Sequence, residues 1–219
     1  MTTKTAAILV FMLFGCALGA SLLLYPSLPA RMPVHFSLEG QANGWASKTS
    51  GCLGPLLIQL LLLLIVLAGD WISPARFKVS EFRSSFNYIM VIASALLVYL
   101  YGLMLAAALC PGRFQGRWGI GGLFLFLAWM GNMLGKTRRN FWLGIRTPWT
   151  LASDAVWIAT HRLAARIFVR VGMLGALGAA VHFPAIIYLV LLAIAIFLPV
   201  LYSFWISKQL EKSPGPCKE

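Results

Sequence analysis

Hydrophobic positions run through this chain in long unbroken blocks, not in the short alternations of a soluble domain. Five stretches contain no Asp, Glu, Lys or Arg: residues 5–30, 49–69, 84–112, 118–135 and 171–207. The first four hold apolar runs over 6–24, 52–68, 87–109 and 119–134. A helix needs about 20 residues to cross roughly 30 Å of hydrocarbon, so each run predicts one span. The fifth stretch has 37 residues, about 55 Å as a single helix, and must turn. His182-Phe183-Pro184 marks the break, because proline disfavours helix at the residue before it. A sixth span then covers 185–207. The fifth must begin before Arg170, since 171–181 is too short alone. Arg166 and Arg170 therefore fall in its first turns, snorkelling to the interface or facing other helices. The first run reads as a span and not as a cleaved signal peptide, because it is long, Lys4 is its single preceding charge, and Phe14 is bulky for a cleavage site. The predicted class is an all-α integral membrane protein with six transmembrane helices, an ordered outer loop and a long inner loop.

Composition supports that class. Hydrophobic residues make up 60% of the chain and charged residues 11%, against about 25% charged in a soluble domain. The net charge is +12, from 18 Lys and Arg against 6 Asp and Glu. In a nucleic-acid binder such an excess would mark a phosphate-binding face. Here it sets orientation. With the N-terminus inside, only Arg31, Lys48, Arg113 and Arg117 lie outside and the other 14 basic residues lie inside, which predicts N-in, C-in. The expected partner is the bilayer, with no direct nucleic-acid binding.

None of the six acidic residues falls near the middle of a span, and Asp70 sits at the inner end of the second. That weighs against an ion-coupled pump and against paired-carboxylate catalysis. No phosphate loop, His-Glu-x-x-His helix or Gly-x-Ser-x-Gly elbow occurs. No enzyme activity, metal or cofactor is expected. Cysteines stand at 16, 52, 110 and 217 without metal-ligand spacing. A disulfide between Cys52 and Cys110 is conceivable, although two unpaired cysteines are the expectation. Gly15 and Gly19, Gly131 and Gly135, and Gly172, Ala176 and Ala180 recur every fourth residue and read as packing surfaces.

Residues 26–52 form the outer loop. Three prolines within eight residues, Pro26, Pro29 and Pro33, favour an extended entry. Val34-His35-Phe36 suits a short strand, and Asn43-Gly44 is a turn signal. The loop is expected to be compact. His35, Glu39, Trp45 and Lys48 are its candidate binding residues, set against the structural reading in which they satisfy the loop itself and Trp45 rests at the interface. The stretch resembles an uncharacterised domain of small bacterial membrane proteins, on the pattern Leu28-Pro29…Met32-Pro33-x-His35-Phe36…Gly40…Gly44-Trp45-x-Ser47-Lys48. That resemblance covers about residues 6–70 and carries no known chemistry.

The inner loop is the richest segment. Pro148 ends what precedes it, Ser153 or Thr150 suits an N-cap, and Asp154 suits the positive end of the helix that follows. No breaker occurs until about Val181, giving a helix near 43 Å long, whose first two turns are expected to project into or lie along the cytoplasmic interface. On it, Trp157, Thr160, His161, Ala164 and Phe168 share one face, while Arg162, Arg166 and Arg170 recur on another. The first face reads as packing and the second as topology plus contact with anionic lipid. Arg146 sits in a tight Gly-Ile-Arg-Thr-Pro-Trp corner, where a fixed guanidinium can grip a carboxylate, internal such as Asp154 or external. The candidate binding residues are Asn132, Lys136, Asn140, Arg146, Thr147, Trp149, Thr150, Asp154, Trp157 and His161.

The string Gly131-Asn132…Gly135-Lys136…Asn140…Gly144-Ile145-Arg146-Thr147-Pro148-Trp149-Thr150-Leu151…Ser153…Trp157…Thr160-His161 resembles the signature of the SdpI-type immunity proteins. The resemblance implies a six-helix protein of the bacterial inner membrane that protects its cell against a secreted antimicrobial toxin. It also implies signalling, by holding a transcriptional repressor at the membrane. Residues 1–75 would form a helix pair with its loop, 84–210 a four-helix SdpI-like domain, and 211–219 a polar tail. A permease or exporter of a small solute is the alternative. A membrane enzyme built on the inner-loop residues is weakest, because Asp154 and His161 lie about 10 Å apart along a helix.

Overall fold

The computed structural model describes residues 1–37, 41–73, 79–111, 116–140 and 142–212. Helix α1 spans Thr3–Leu24, capped by the Thr2 hydroxyl, which accepts from Thr5 N–H. A 3-10 turn at Tyr25–Ser27 leads into two antiparallel strands, β1 (Arg31–Phe36) and β2 (Ala42–Ser47). Then follow α2 (Lys48–Ile72), α3 (Arg83–Leu109), α4 (Arg117–Leu134), the short α5 (Pro148–Ala152), α6 (Asp154–Val181) and α7 (Ala185–Lys212). Every predicted span is a helix within a few residues of its expected limits. Among the described residues five helices are long and apolar enough to cross a membrane, namely α1, α2, α3, α6 and α7. Helix α4 has 18 residues, about 27 Å, and falls outside that group.

The break at 182–184 is a left-handed C-cap. His182 has φ 65° and ψ 51°, and its N–H and that of Phe183 both donate to the Gly178 carbonyl. This closes α6 and turns the chain into α7.

Asn43-Gly44 does not make the hairpin turn. Both residues lie within β2, where Gly44 pairs with His35 beside a register shift. A Cβ at Gly44 would come 2.8 Å from the His35 Cβ, so this glycine admits a close strand crossing instead of a turn. The expected strand at 34–36 is longer than predicted and starts at Arg31. Met32 is fully buried against Ala17, Cys52 and Met104, seating the hairpin on the ends of α1, α2 and α3. Cys16, Cys52 and Cys110 are free thiols.

Within the apolar slab, polar side chains close on one another. Gln59 and Ser94 are fully buried and exchange bonds: Gln59 Nε2 donates to the Ser94 carbonyl at 3.0 Å, and Ser94 Oγ donates to Gln59 Oε1 at 2.7 Å. They lock α2 to α3. Ser21 Oγ and Tyr101 OH, 2.6 Å apart, do the same for α1 and α3. An ion pair between Asp70 and Arg83 joins the end of α2 to the start of α3.

Small residues act at the expected spacing on only one helix pair. Gly15 and Gly19 have open space where a Cβ would stand, so they are no packing surface within this chain. Between α4 and α6 the backbones touch. A Cβ on Gly172 would lie 2.5 Å from the Ala128 nitrogen, and one on Gly131 would lie 2.7 Å from the Phe168 Cβ. Gly175 packs against the Phe124 ring with no room for a methyl. We expect Gly172→Ala to force α4 from α6 and lower the detergent melting temperature by several degrees. Gly15→Ala should hold or raise it, since Ala exceeds Gly by about 1 kcal/mol in helix propensity. Thermal size-exclusion profiles of the two variants check both.

The corner between α4 and α6 as candidate functional site

The chain between α4 and α6 is held by its own side chains. Asn140 is fully buried. Its Oδ1 accepts from Trp142 N–H at 2.8 Å and Leu143 N–H at 2.7 Å, and its Nδ2 donates to the Arg138 carbonyl at 2.7 Å. One amide thus satisfies three backbone groups that no helix serves. Gly144 follows with φ +120°, and a Cβ there would strike the His161 ring. This close approach lets Ile145 N–H donate to His161 Nε2 at 2.9 Å. His161 Nδ1, 2.8 Å from the Trp157 carbonyl, is then the protonated nitrogen and donates to it. The imidazole stacks on Trp157 with centroids 3.9 Å apart, and Trp157 Nε1 donates to the Thr137 carbonyl at 3.0 Å.

Pro148 starts a helix here as well as ending the preceding segment. It is the first residue of α5, capped by a reciprocal Thr147–Thr150 box. Thr150 Oγ1 accepts from Thr147 N–H at 2.8 Å and donates to the Ile145 carbonyl at 2.8 Å. Ser153 then caps α6, with Asp154 in its first turn, as expected.

Three contacts dock the corner on the bundle. Trp142 Nε1 donates to Ser73 Oγ at 2.7 Å, and its ring meets Phe86 edge-on at 5.7 Å. Trp149 Nε1 donates to Ser203 Oγ at 2.6 Å, and its ring meets Phe204 at 5.3 Å. Arg139 pairs with Asp154 at 3.0 Å and donates to the Leu151 carbonyl at 2.7 Å. Arg139 therefore holds Asp154, the carboxylate named above as one of the partners open to Arg146.

Of the predicted residues, Asn140, Thr147, Trp149, Thr150, Trp157 and His161 come together as this hydrogen-bonded knot. Asn132, Lys136 and Arg146 stand exposed around it, and Asp154 lies on the surface with Arg139. The face of α6 carrying Trp157, Thr160, His161 and Ala164 is buried, while Arg162, Arg166 and Arg170 form an exposed stripe. Thr137, Arg139, Trp142, Ser73 and Ser203 were not foreseen. They meet partners far along the chain, and no local pattern marks such pairs.

The hairpin candidates do not converge. His35 Nδ1 lies 2.5 Å from Asn43 Oδ1, across the strands. Trp45 is half exposed. Lys48 Nζ donates to the Leu28 carbonyl at 3.1 Å and sits 4.5 Å over the Tyr25 ring, bracing the hairpin base. Glu39 lies outside the described residues.

Five long apolar helices and this corner define a multi-pass helical membrane protein. Residues 136–203, running from the corner through most of α7, match the model of the SdpI/YfhL protein family. Residues 12–60, α1 through the hairpin into α2, match a Domain of unknown function (DUF1648). The chain is 26% identical over 200 residues to Immunity protein SdpI of Bacillus subtilis (strain 168), an alignment covering 88% of this chain and 91% of that protein. No solved structure matches it. The resemblance to SdpI-type proteins read from residues 131–161 is thereby shown.

The knot predicts which substitutions unfold the corner. Trp157→Ala removes a ring with no exposed surface and should cost roughly 3–5 kcal/mol. Asn140→Ala leaves two part-buried N–H groups without their acceptor, at up to about 1–3 kcal/mol each. Both variants should turn residues 138–150 protease-sensitive while α1 to α3 stay intact. Limited proteolysis from the face bearing the corner measures this.

Proposed function

We propose that this chain protects its cell against a secreted antimicrobial peptide or toxin. In this reading it has six spans in the bacterial cytoplasmic membrane, with both termini and the corner inside and the hairpin outside. The observation that carries the reading is the similarity to Immunity protein SdpI, which runs through almost the whole of both chains. Charge supports the orientation. Among the described residues the corner end of the bundle carries eleven Lys and Arg and the hairpin end three. Helix α4, about 27 Å long, is the sixth span. Arg162, Arg166 and Arg170 are exposed along the inner half of α6, and their long stems extend toward the anionic headgroups of the inner leaflet.

The two ends then have separate roles. Outside, His35 and Trp45 on the hairpin meet the peptide. Inside, the buried knot stiffens a surface bearing Asn132, Lys136 and Arg146, to which a repressor protein docks. The stiffness supports this reading, because a fixed guanidinium fork loses little freedom on gripping a carboxylate.

Deleting the gene should sensitise cells to peptides secreted by producing strains, and the intact chain should restore resistance. Unchanged sensitivity across such a panel would remove the reading. In complementation, Arg146→Lys should insert normally yet lose most protection or repressor release, because an ammonium cannot copy the fork and one charge-assisted bond is worth roughly 1.5–3 kcal/mol. Arg138→Lys should be silent. Equal activity of the two would make the corner a positively charged loop and nothing more. In a cysteine-free background, Ser47→Cys should label from outside, and labelling from the cytoplasmic face alone would reverse the topology.

A further inference from the structure

A slot of about 480 Å³ opens between α3, α4 and α6 at the hairpin end of the bundle. Its floor is made of small residues, Gly121 on α4 with Ala176 and Ala180 on α6, and its rims are Tyr99, Trp118 and Trp129. Both tryptophans are half exposed. The slot follows α4 from Arg117 to Trp129, about 18 Å at 1.5 Å per residue. Spread over that length, its volume gives a cross-section of roughly 25–30 Å². That is well below the roughly 80–110 Å² cross-section of a helix 10–12 Å across, but it accommodates one extended alkyl chain.

One end of the slot is cationic. Arg117 begins α4, its guanidinium lies 4.9 Å from the Trp118 ring, and it bonds to His182. Its Nε is buried and, among the described residues, has no hydrogen-bond partner. Tyr99, the neighbouring polar group, is already satisfied, donating to the Trp118 carbonyl at 2.8 Å. Among the described residues no side chain caps α4 at Gly116, and the N–H groups of its first turn add positive potential beside Arg117. Every described acidic residue stands at the opposite end of the bundle: Asp70, Glu81, Asp154 and Glu211. Among the described residues the chain thus supplies no anion to this arginine.

We propose that the slot binds an anionic phospholipid, one acyl chain lying along α4 and the phosphate against Arg117 and the start of that helix. A narrow apolar track ending in an unmet cation fits an amphiphile, whereas a zwitterionic lipid would bring its own ammonium to the same place. The inference is independent of any role in toxin protection.

The full chain, purified in mild detergent, is titrated with palmitoyl-oleoyl phosphatidylglycerol and with the phosphatidylcholine of identical chains. Bound lipid is counted by native mass spectrometry and melting temperature is followed in parallel. The wild type should keep one phosphatidylglycerol through delipidation and melt higher in its presence, as a ligand of the native state requires. Arg117→Gln should lose the preference over phosphatidylcholine by about tenfold, the scale of one charge-assisted hydrogen bond. Ala180→Phe, at an exposed position that fills the slot, should lose both lipids. Arg31→Gln, at an exposed arginine of the hairpin end, should change nothing. Equal phosphatidylglycerol retention by Ala180→Phe and the wild type would overturn the assignment, as would a preference that survives Arg117→Gln. A wild-type dimer that Ala180→Phe splits into monomers would give the slot to a second copy instead.

Discussion

The backbone contact between α4 and α6 governs most of what this protein presents to its surroundings. Gly131 and Gly172 allow the two helices to touch main chain to main chain, and Gly135 rests against Ala165. That contact fixes the height at which α4 stops relative to α6. The chain leaving α4 therefore emerges beside His161 and Trp157, and those two side chains become the inner wall of the corner. With bulkier residues at the interface the helices would separate, and the segment from 135 to 153 would have no wall to fold upon. In a bilayer such closeness depends on shape, because lipid tails are as apolar as the side chains they would replace.

A second demand follows from the same environment. Polar groups away from water need partners inside the protein. The chain meets this with small reciprocal sets, Gln59 with Ser94 and Ser21 with Tyr101 in the bundle, and Asn140, His161 and Thr150 in the corner. The buried members of the conspicuous inner-loop motif consequently serve architecture. The polar groups that architecture pushes outward are Asn132, Lys136 and Arg146 around the knot, and the arginine stripe of α6.

The two ends of the bundle differ in build. At the hairpin end a short sheet is held by one buried methionine, Met32, and by Lys48 bracing its base. At the corner end Trp142, Trp149 and Arg139 reach Ser73, Ser203 and Asp154, so that one loop ties together α2, α6 and α7. The corner is tied to the helices by side-chain bonds, while the hairpin exposes His35 and Trp45 on strands paired to each other.

The sequence by itself determined the helices, their limits, the break at Pro184 and the Ser153 cap, because span length, proline and capping are local constraints. It also pointed to residues 131–161 through their likeness to SdpI-type proteins. It misread Asn43-Gly44 as a turn, since only the cross-strand approach of His35 reveals why glycine stands there. It credited Gly15 and Gly131 equally with packing, although a spacing of four recurs in any small-residue helix and only one of the two meets a neighbour. It left the partner of Asp154 open, and the fold brings Arg139 to it. Those outcomes belonged to the tertiary structure, because which side chain meets which depends on how close α4 comes to α6, and that distance is written in no single segment of the chain.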